Sequence, residues 1–111
     1  MEKLKLSKQV MINGKEYKEL PYDFDELTAQ DKLNASKKYK KDGNAMSVQE
    51  IDSGYHLYLF AEAVSKADPD IDITDIMRIR AKDSAKIEGL VRDFFFLDSE
   101  DISQTDTTEE Q

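Results

Sequence analysis

The sequence predicts an α+β domain, with an N-terminal β-hairpin packed on a bundle of about four helices. Residues 3–12 alternate apolar and polar side chains and lead into Asn13-Gly14, and later segments show helical spacing between capping residues and breakers. A chain of 111 residues suits one domain. We assign residues 1–97 to that domain and predict that residues 98–111 form an acidic, disordered tail.

The hairpin is the first predicted element. Its first strand has apolar side chains at even positions: Leu4, Leu6, Val10 and Ile12. This period of two is typical of a half-buried strand. Asn13-Gly14 supplies the two residues that best tolerate the positive φ of a two-residue turn, and such a turn pairs Val10 with Tyr17. Residues 15–20 form the return strand, and Pro21 ends the pairing because it has no N–H.

A first helix is predicted from Thr28, its N-cap, with an acid three residues later as in a capping box. Gly43 supplies the left-handed stop. Leu33 and Tyr39 provide most of the apolar face. Four lysines crowd the last turns: Lys37, Lys38, Lys40 and Lys41. The helix dipole favours such cations at a solvated end, and a docking site for an acidic partner is the alternative interpretation.

The second helix, predicted from the cap Ser47 to Ala67, is the most apolar element. One stripe of apolar side chains consists of Leu57, Phe60, Ala61 and Val64. A second stripe beside it consists of Ile51, Tyr55, Tyr58 and Leu59. A helix that is apolar over most of its circumference is either central in its domain or covered by another chain. Burial in the core and contact with a partner are therefore both open for the second stripe.

Two further helices complete the prediction. Residues 74–80 form a short helix capped by Thr74, and residues 83–97 form a last helix begun by Asp83. The last helix carries one apolar face: Ile87, Leu90, Val91, Phe94 and Phe95. Phe96 lies about half a turn away from the start of that face, at about 100° per residue, so we expect it outside the core.

Composition excludes several classes of protein. The chain has no cysteine, so disulfides, thiolate metal sites and cysteine nucleophiles are absent. Its longest apolar run, residues 57–61, is far shorter than the roughly 18 residues of a membrane span. We therefore expect a soluble, cytoplasmic protein. The net charge is −8, and residues 98–111 hold six acids and no base. Nucleic-acid-binding surfaces are usually strongly basic, so nucleic acid is a disfavoured partner.

The chain offers no recognisable set of catalytic residues. Its single histidine, His56, lacks the companions of a triad or a histidine-rich metal site. Alternate aspartates from Asp68 begin like a calcium loop, but Ile73 and Ile79 stand where an EF-hand needs glycine and glutamate. No glycine lies in a phosphate loop, and Gly89 instead suggests a close crossing of helices. We predict a non-enzymatic binding protein without metal or cofactor.

Three segments, read in order, carry a resemblance to a known family: LKLSKQVMINGKEYKEL, YHLYLFAEAVSKADPDI and DITDIMRIRAKDSAKIEGLVRDFFF. Through them, residues 3–97 resemble the phage tail assembly chaperones, the small early tail proteins of tailed phages and prophages. Their order carries the weight, because the signatures are structural rather than catalytic. At Gln9 the chain departs from a proline common in the family, a change that affects only the stiffness of the strand.

The resemblance implies a chaperone that binds and solubilises the tape measure protein, the long helical protein that sets tail length, and helps recruit tail tube subunits. It implies work in the cytoplasm of a host bacterium and absence from the mature virion, and a homo-oligomer is possible. We expect the helical client to contact a set of large side chains: Ile51, Tyr55, Tyr58, Leu59 and Phe96. The alternative is an acidic phage or prophage regulatory protein that blocks a host nucleic-acid-binding protein. A third hypothesis is a small enzyme that uses carboxylates alone.

Overall fold

A computed structural model describes the backbone of residues 2–104 and the side chains of residues 2–96. The elements are β1 (Glu2–Ile12), β2 (Lys15–Tyr22), a 3-10 turn (Phe24–Glu26), α1 (Ala29–Lys41), α2 (Ser53–Ala67), α3 (Ile73–Ile76) and α4 (Ala81–Gln104). The antiparallel hairpin packs on the helices, which confirms the predicted α+β class.

The hairpin has the predicted register, with Val10 opposite Tyr17. Asn13 and Gly14 take φ of 53° and 79°, as a two-residue turn with two left-handed positions requires. β2 continues through Pro21, which lies opposite Lys3, so the predicted end of this strand was wrong. A two-stranded sheet has only edge strands, and proline is tolerated there.

β1 is irregular in its middle. Between the pairs Lys5–Glu19 and Val10–Tyr17 the register shifts, because β1 has four residues (6–9) where β2 has only Lys18. Extra residues of this kind bend a strand and leave part of its backbone without a partner on the neighbouring strand. The bulge directs residues 6–9 toward the start of α4, where Ser7 finds its hydrogen-bond partner.

α2 lies at the centre and contacts α1, α3, α4 and β2. The side chains that are fully buried come from all of these layers and include Ile12, Leu20, Leu59, Phe60, Val64, Ile76, Ile87 and Val91. Four aromatic rings, from Tyr22, Phe24, Phe60 and Phe94, join β2, the 3-10 turn, α2 and α4, with neighbouring centroids 5.1 to 6.2 Å apart. Offset and edge contacts at these separations are favourable, so the hairpin and the last helix share one core with α2.

The limits of α1 follow the prediction. The Thr28 hydroxyl accepts a hydrogen bond from the Asp31 N–H and the Asp31 carboxylate accepts one from the Thr28 N–H, which completes a capping box. Asp31 also pairs with Lys66 of α2 at 3.1 Å. Gly43 follows the helix with φ of 94°, as expected of a left-handed stop.

The starts of the other three helices differ from the prediction. α2 begins at Ser53 with Asp52 as its N-cap, rather than at Ser47, and α3 is capped by Asp72 rather than Thr74. In both cases an aspartate carboxylate reaches the free N–H groups of the first turn, a role for which aspartate competes well with serine and threonine. α4 begins at Ala81, so Asp83 lies inside the first turn.

α4 ends at Gln104, seven residues beyond the predicted end at Leu97. Residues 98–111 were predicted to be disordered, but residues 98–104 continue α4 as a helix. Residues 105–111 lie outside the described residues. The close helix crossing suggested by Gly89 is absent, because a Cβ added there would have no described atom within 4 Å. Gly54 is the closely approached glycine, where an added Cβ would lie 2.5 Å from the Tyr39 hydroxyl oxygen.

Candidate functional site

The structure separates the five residues predicted to contact a client. Tyr55 and Leu59 are fully buried and Tyr58 is 6% exposed, whereas Ile51 and Phe96 are 60% and 48% exposed. Three of the four residues of the second stripe are thus part of the core, whereas Ile51 precedes α2 and is exposed. Tyr55, Tyr58 and Leu59 cannot offer a contact surface without moving the elements that cover them, and only Ile51 and Phe96 remain accessible.

Packing of α1 against α2 buries the two tyrosines, Tyr55 and Tyr58. The Tyr39 ring of α1 lies edge-on to Tyr55 and Tyr58, with centroids 6.4 and 5.2 Å away. The Tyr58 hydroxyl donates to the Asp42 carboxylate at 2.6 Å, and the Tyr55 hydroxyl donates to the Lys32 carbonyl at 3.3 Å. Burial, with the adjacent Asp42 carboxylate, raises the pKa of Tyr58 to about 12. The phenol hydroxyls therefore find partners inside the domain and need no second chain.

Asp52 organises the junction between α1 and α2. Its carboxylate accepts hydrogen bonds from the Ser47 N–H and hydroxyl, the Tyr55 N–H and the Tyr39 hydroxyl, at 2.9 to 3.1 Å. Burial alone would raise the pKa of Asp52, but these donors stabilise the carboxylate and lower the pKa to about 2. One charged group thus caps α2 and fixes the segment before it, residues 44–52, to the Tyr39 ring.

His56 holds the same segment from the other side. Its Nε2 lies 2.8 Å from the carbonyl oxygen of Gln49. A carbonyl only accepts, so Nε2 carries the proton. Nδ1 is buried and has no partner among the described residues. Burial lowers the pKa of His56, and the positive charge of Arg92 adds to this effect. His56 is therefore a neutral structural residue that ties residues 44–52 to α2.

Four large apolar side chains stay exposed around this junction. We call them the apolar rim: Leu33 (53% exposed), Val48 (56%), Ile51 (60%) and Phe96 (48%). Along the chain, each is within two residues of a member of one connected set of contacts, formed by Lys32, Phe95, His56 and Gln49. Lys32 Nζ lies 5.3 Å from the centroid of the Phe95 ring, Phe95 packs on His56 with centroids 5.9 Å apart, and His56 is bonded to Gln49.

The apolar rim thus flanks a single cluster in which α1, α2, α4 and residues 44–52 meet. Exposed apolar side chains favour association when a second apolar surface removes them from water. Within residues 2–96, no group of three histidine, aspartate or glutamate side chains is placed to hold a metal ion. No helix among the described residues is long and apolar enough to cross a bilayer.

Two members of the apolar rim were missed in the sequence. Leu33 was expected to help form the buried face of α1, but Ala35, Ser36 and Tyr39 take that role. Val48 was placed in the first turn of a helix, whereas it lies in the segment before α2 because Asp52 is the cap. The pattern of apolar positions along α1 does not show which of its faces packs against α2.

Comparisons of the chain with protein-family models, with curated proteins and with solved structures find no match.

Proposed function

We propose that this chain is a non-enzymatic phage tail assembly chaperone that binds and solubilises the tape measure protein and helps recruit tail tube subunits. It works in the cytoplasm of the host bacterium and leaves before the virion is complete. The resemblance of residues 3–97 suggests the family. The observation that carries the proposal is the apolar rim, which supplies exposed apolar side chains although the core of the domain is already closed.

The expected mode of binding is contact between the apolar rim and the apolar face of a helix in the client. Long side chains such as Phe96 and Ile51 can lie between the side chains of successive turns of an amphipathic helix. Lys32 and Lys37 lie near Leu33 on α1, so that cations border the apolar contact. Tyr55 and Tyr58 support this surface from beneath, through their ring contacts with Tyr39 and their hydrogen bonds to Lys32 and Asp42.

Co-expression tests the proposal directly. If the next reading frame encodes a long helical protein, that protein is the client to test, and its soluble fraction would be measured with and without this chain. We expect co-expression to raise that fraction. A double change, Ile51→Asp with Phe96→Asp, should remove the effect, because a charge at an apolar contact must be desolvated without a partner.

Met11→Asp with Met77→Asp is the matched control, because it also adds two negative charges. Met11 is 52% exposed and Met77 is 49% exposed, and neither belongs to the apolar rim. This control should leave the solubilising effect unchanged. If co-expression does not raise the soluble fraction of the neighbouring protein, the proposed function is wrong. If both variants reduce it equally, the apolar rim is not the contact surface.

A regulatory protein that occupies a host nucleic-acid-binding site remains the competing hypothesis, favoured by the six acids and absent bases of residues 98–111. The two functions depend on different parts of the chain. Removal of residues 98–111, or high salt, should abolish binding to a basic host protein. The same truncation should leave most of the solubilising effect on a helical client.

A further inference from the structure

A basic groove lies between the bulge of β1 and the start of α4, away from the apolar rim. Two adjoining cavities form it, with volumes of about 540 and 220 Å³, and both are lined by Lys8 and Arg80. Lys82 lines the larger cavity and Arg78 the smaller one. Four cations therefore surround one depression on a chain whose net charge is −8.

Three of these cations have no carboxylate partner among the side chains that the structure describes. Arg78 pairs with Asp75 at 3.0 Å. Within the side chains of residues 2–96, no ion pair engages Lys8, Arg80 or Lys82. Like charges that converge without counter-charges repel one another, and an anion from outside the domain would relieve that repulsion.

The walls of the groove are held together by a buried carboxylate. Asp83 of α4 accepts hydrogen bonds from the N–H and the hydroxyl of Ser7, each at 3.0 Å, and is itself fully buried. Lys86 pairs with Asp83 at 3.2 Å, so the negative charge of the buried Asp83 carboxylate is balanced. The bulge is thereby fixed against α4. Lys8 follows the bonded residue directly, so its backbone is held in place before any ligand arrives.

We propose that this groove binds the acidic C-terminal segment, residues 98–111, of a second copy of the chain. That segment contains six acids and no base: Asp98, Glu100, Asp101, Asp106, Glu109 and Glu110. Its carboxylates are opposite in charge to Lys8, Arg80 and Lys82, and guanidinium and ammonium groups bind carboxylates through charge-assisted hydrogen bonds.

We assign the segment to another copy, because the backbone of its own copy stops about 9 Å short of the groove even if residues 105–111 are fully extended. α4 begins at the groove and contains 24 residues, so Gln104 lies about 34 Å away at about 1.5 Å per residue. The seven residues that follow, 105–111, span at most about 25 Å when fully extended. A reciprocal or head-to-tail exchange between copies is the arrangement that remains.

A nucleic acid is a poorer match for the same groove. Its phosphates repeat about every 1.7 Å along a duplex and would extend past four cations onto an acidic protein. Asp75 at the edge of the groove and the overall charge of −8 both oppose that extension. A short segment with spaced carboxylates meets only the cations.

Binding of a labelled peptide tests the proposal. A fluorescein-labelled peptide of residues 98–111 would be titrated with the full-length chain at low salt, and its anisotropy measured. Arg80→Glu with Lys82→Glu should weaken binding by about tenfold or more, since two attractions become repulsions. Lys15→Glu with Arg92→Glu makes the same change in net charge at exposed cations that do not line the groove and should leave most binding intact.

A charge exchange gives the second arm. A peptide with its six acids replaced by lysine should bind the Arg80→Glu/Lys82→Glu chain better than it binds the unaltered chain. Sedimentation of the unaltered chain should show an association that rising salt weakens and that Arg80→Glu with Lys82→Glu removes. The folding of each variant is checked by circular dichroism, and Lys8→Glu replaces the pair if they unfold the chain.

Three results would overturn the proposal. The first is that the acidic peptide fails to bind the unaltered chain. The second is that both pairs of charge reversals weaken peptide binding equally, which would make binding an effect of net charge. A labelled single-stranded DNA of equal charge that binds the groove more tightly than the peptide would assign it to nucleic acid. None of these results bears on client solubilisation, which depends on the apolar rim.

Discussion

Glycine illustrates how the same residue can have opposite roles on two neighbouring helices. Gly54, at the start of α2, lies under the Tyr39 ring, whose hydroxyl oxygen would be 2.5 Å from an added Cβ. Gly89 of α4 faces space that is empty of described atoms to 4 Å. Both were visible in the sequence as helical glycines, but only the position of Tyr39, fixed by its bond to Asp52, distinguishes them.

The two glycines give a paired prediction. Gly54→Ala should lower the free energy of unfolding by about 1–3 kcal/mol, because Tyr39 must move from its place against Asp52. Gly89→Ala should raise it by about 0.5–1 kcal/mol, because alanine is the better helix former and nothing obstructs its methyl group. Urea titrations with unchanged m-values measure both. A stabilised Gly54→Ala chain would contradict the packing described.

Asp52 gives a second prediction for a single residue. Asp52→Asn keeps the shape of the side chain but removes the charge that four donors stabilise, so the free energy of unfolding at pH 7 should fall by about 1–2 kcal/mol. The folded pKa is about 2, below the unfolded value of about 3.9. The contribution is therefore complete above about pH 4 and is lost as the pH falls toward 2.

Urea titrations at several pH values check this sign. The difference in stability between the unaltered chain and Asp52→Asn should be constant from about pH 7 to 5 and should shrink as the pH is lowered further toward 3. Ser53→Ala, which alters the next residue without touching the carboxylate, should show no such dependence. A difference that stays constant down to pH 3 would mean that the carboxylate is not stabilised by its donors.

At the level of elements, local signals were sufficient where both partners lie close in sequence. The hairpin and α1 followed from Asn13-Gly14 and from Thr28 with Asp31, contacts that span two or three residues. The start of α2 did not follow, because Ser47 and Asp52 both suit a cap. The choice between them depends on Tyr39 of another helix, which bonds to Asp52.

The candidate surface shows the same limit. Spacing along α2 identified an apolar circumference, but not that α1 would cover Tyr55 and Tyr58 with Tyr39. Phe96 was placed outside the core by helix geometry alone, and it is exposed. The angle around one helix can be read from sequence, whereas the element that covers a given angle is decided by packing between distant segments.

The junction of β1 with α4 gives a prediction about how elements are held together. Asp83 joins them across 76 residues of sequence through Ser7. Asp83→Ala should lower the free energy of unfolding by about 2–3 kcal/mol, because it leaves the Ser7 N–H and Lys86 without their partner. It should also speed hydrogen exchange at Ser7. Asp93→Ala, at an exposed site on the same helix, should cost less than about 0.5 kcal/mol.

At the scale of the whole molecule, ionisable groups divide the response to acid into two ranges of pH. Asp31, Asp52, Asp72 and Asp83 all have lowered pKa values, because hydrogen bonds to each carboxylate outweigh its burial. They stabilise the fold above about pH 4 and lose that effect below it. His56 is the single histidine, and its pKa is lowered chiefly by burial, so it acts at higher pH.

This separation yields a prediction for the full domain. Below pH about 6.5 the unfolded chain gains a proton on His56 that the folded chain excludes, so the free energy of unfolding should fall with pH, by at most about 1.4 kcal/mol per pH unit. His56→Gln keeps an amide N–H for the Gln49 carbonyl but cannot titrate. It should flatten the profile just below about pH 6.5 and leave the loss below pH 4 intact. Urea unfolding at each pH measures the profiles of the unaltered chain and of His56→Gln. If the two profiles had the same slope, His56 would be protonated in the folded chain. Its assignment as a neutral residue that holds residues 44–52 would then be wrong.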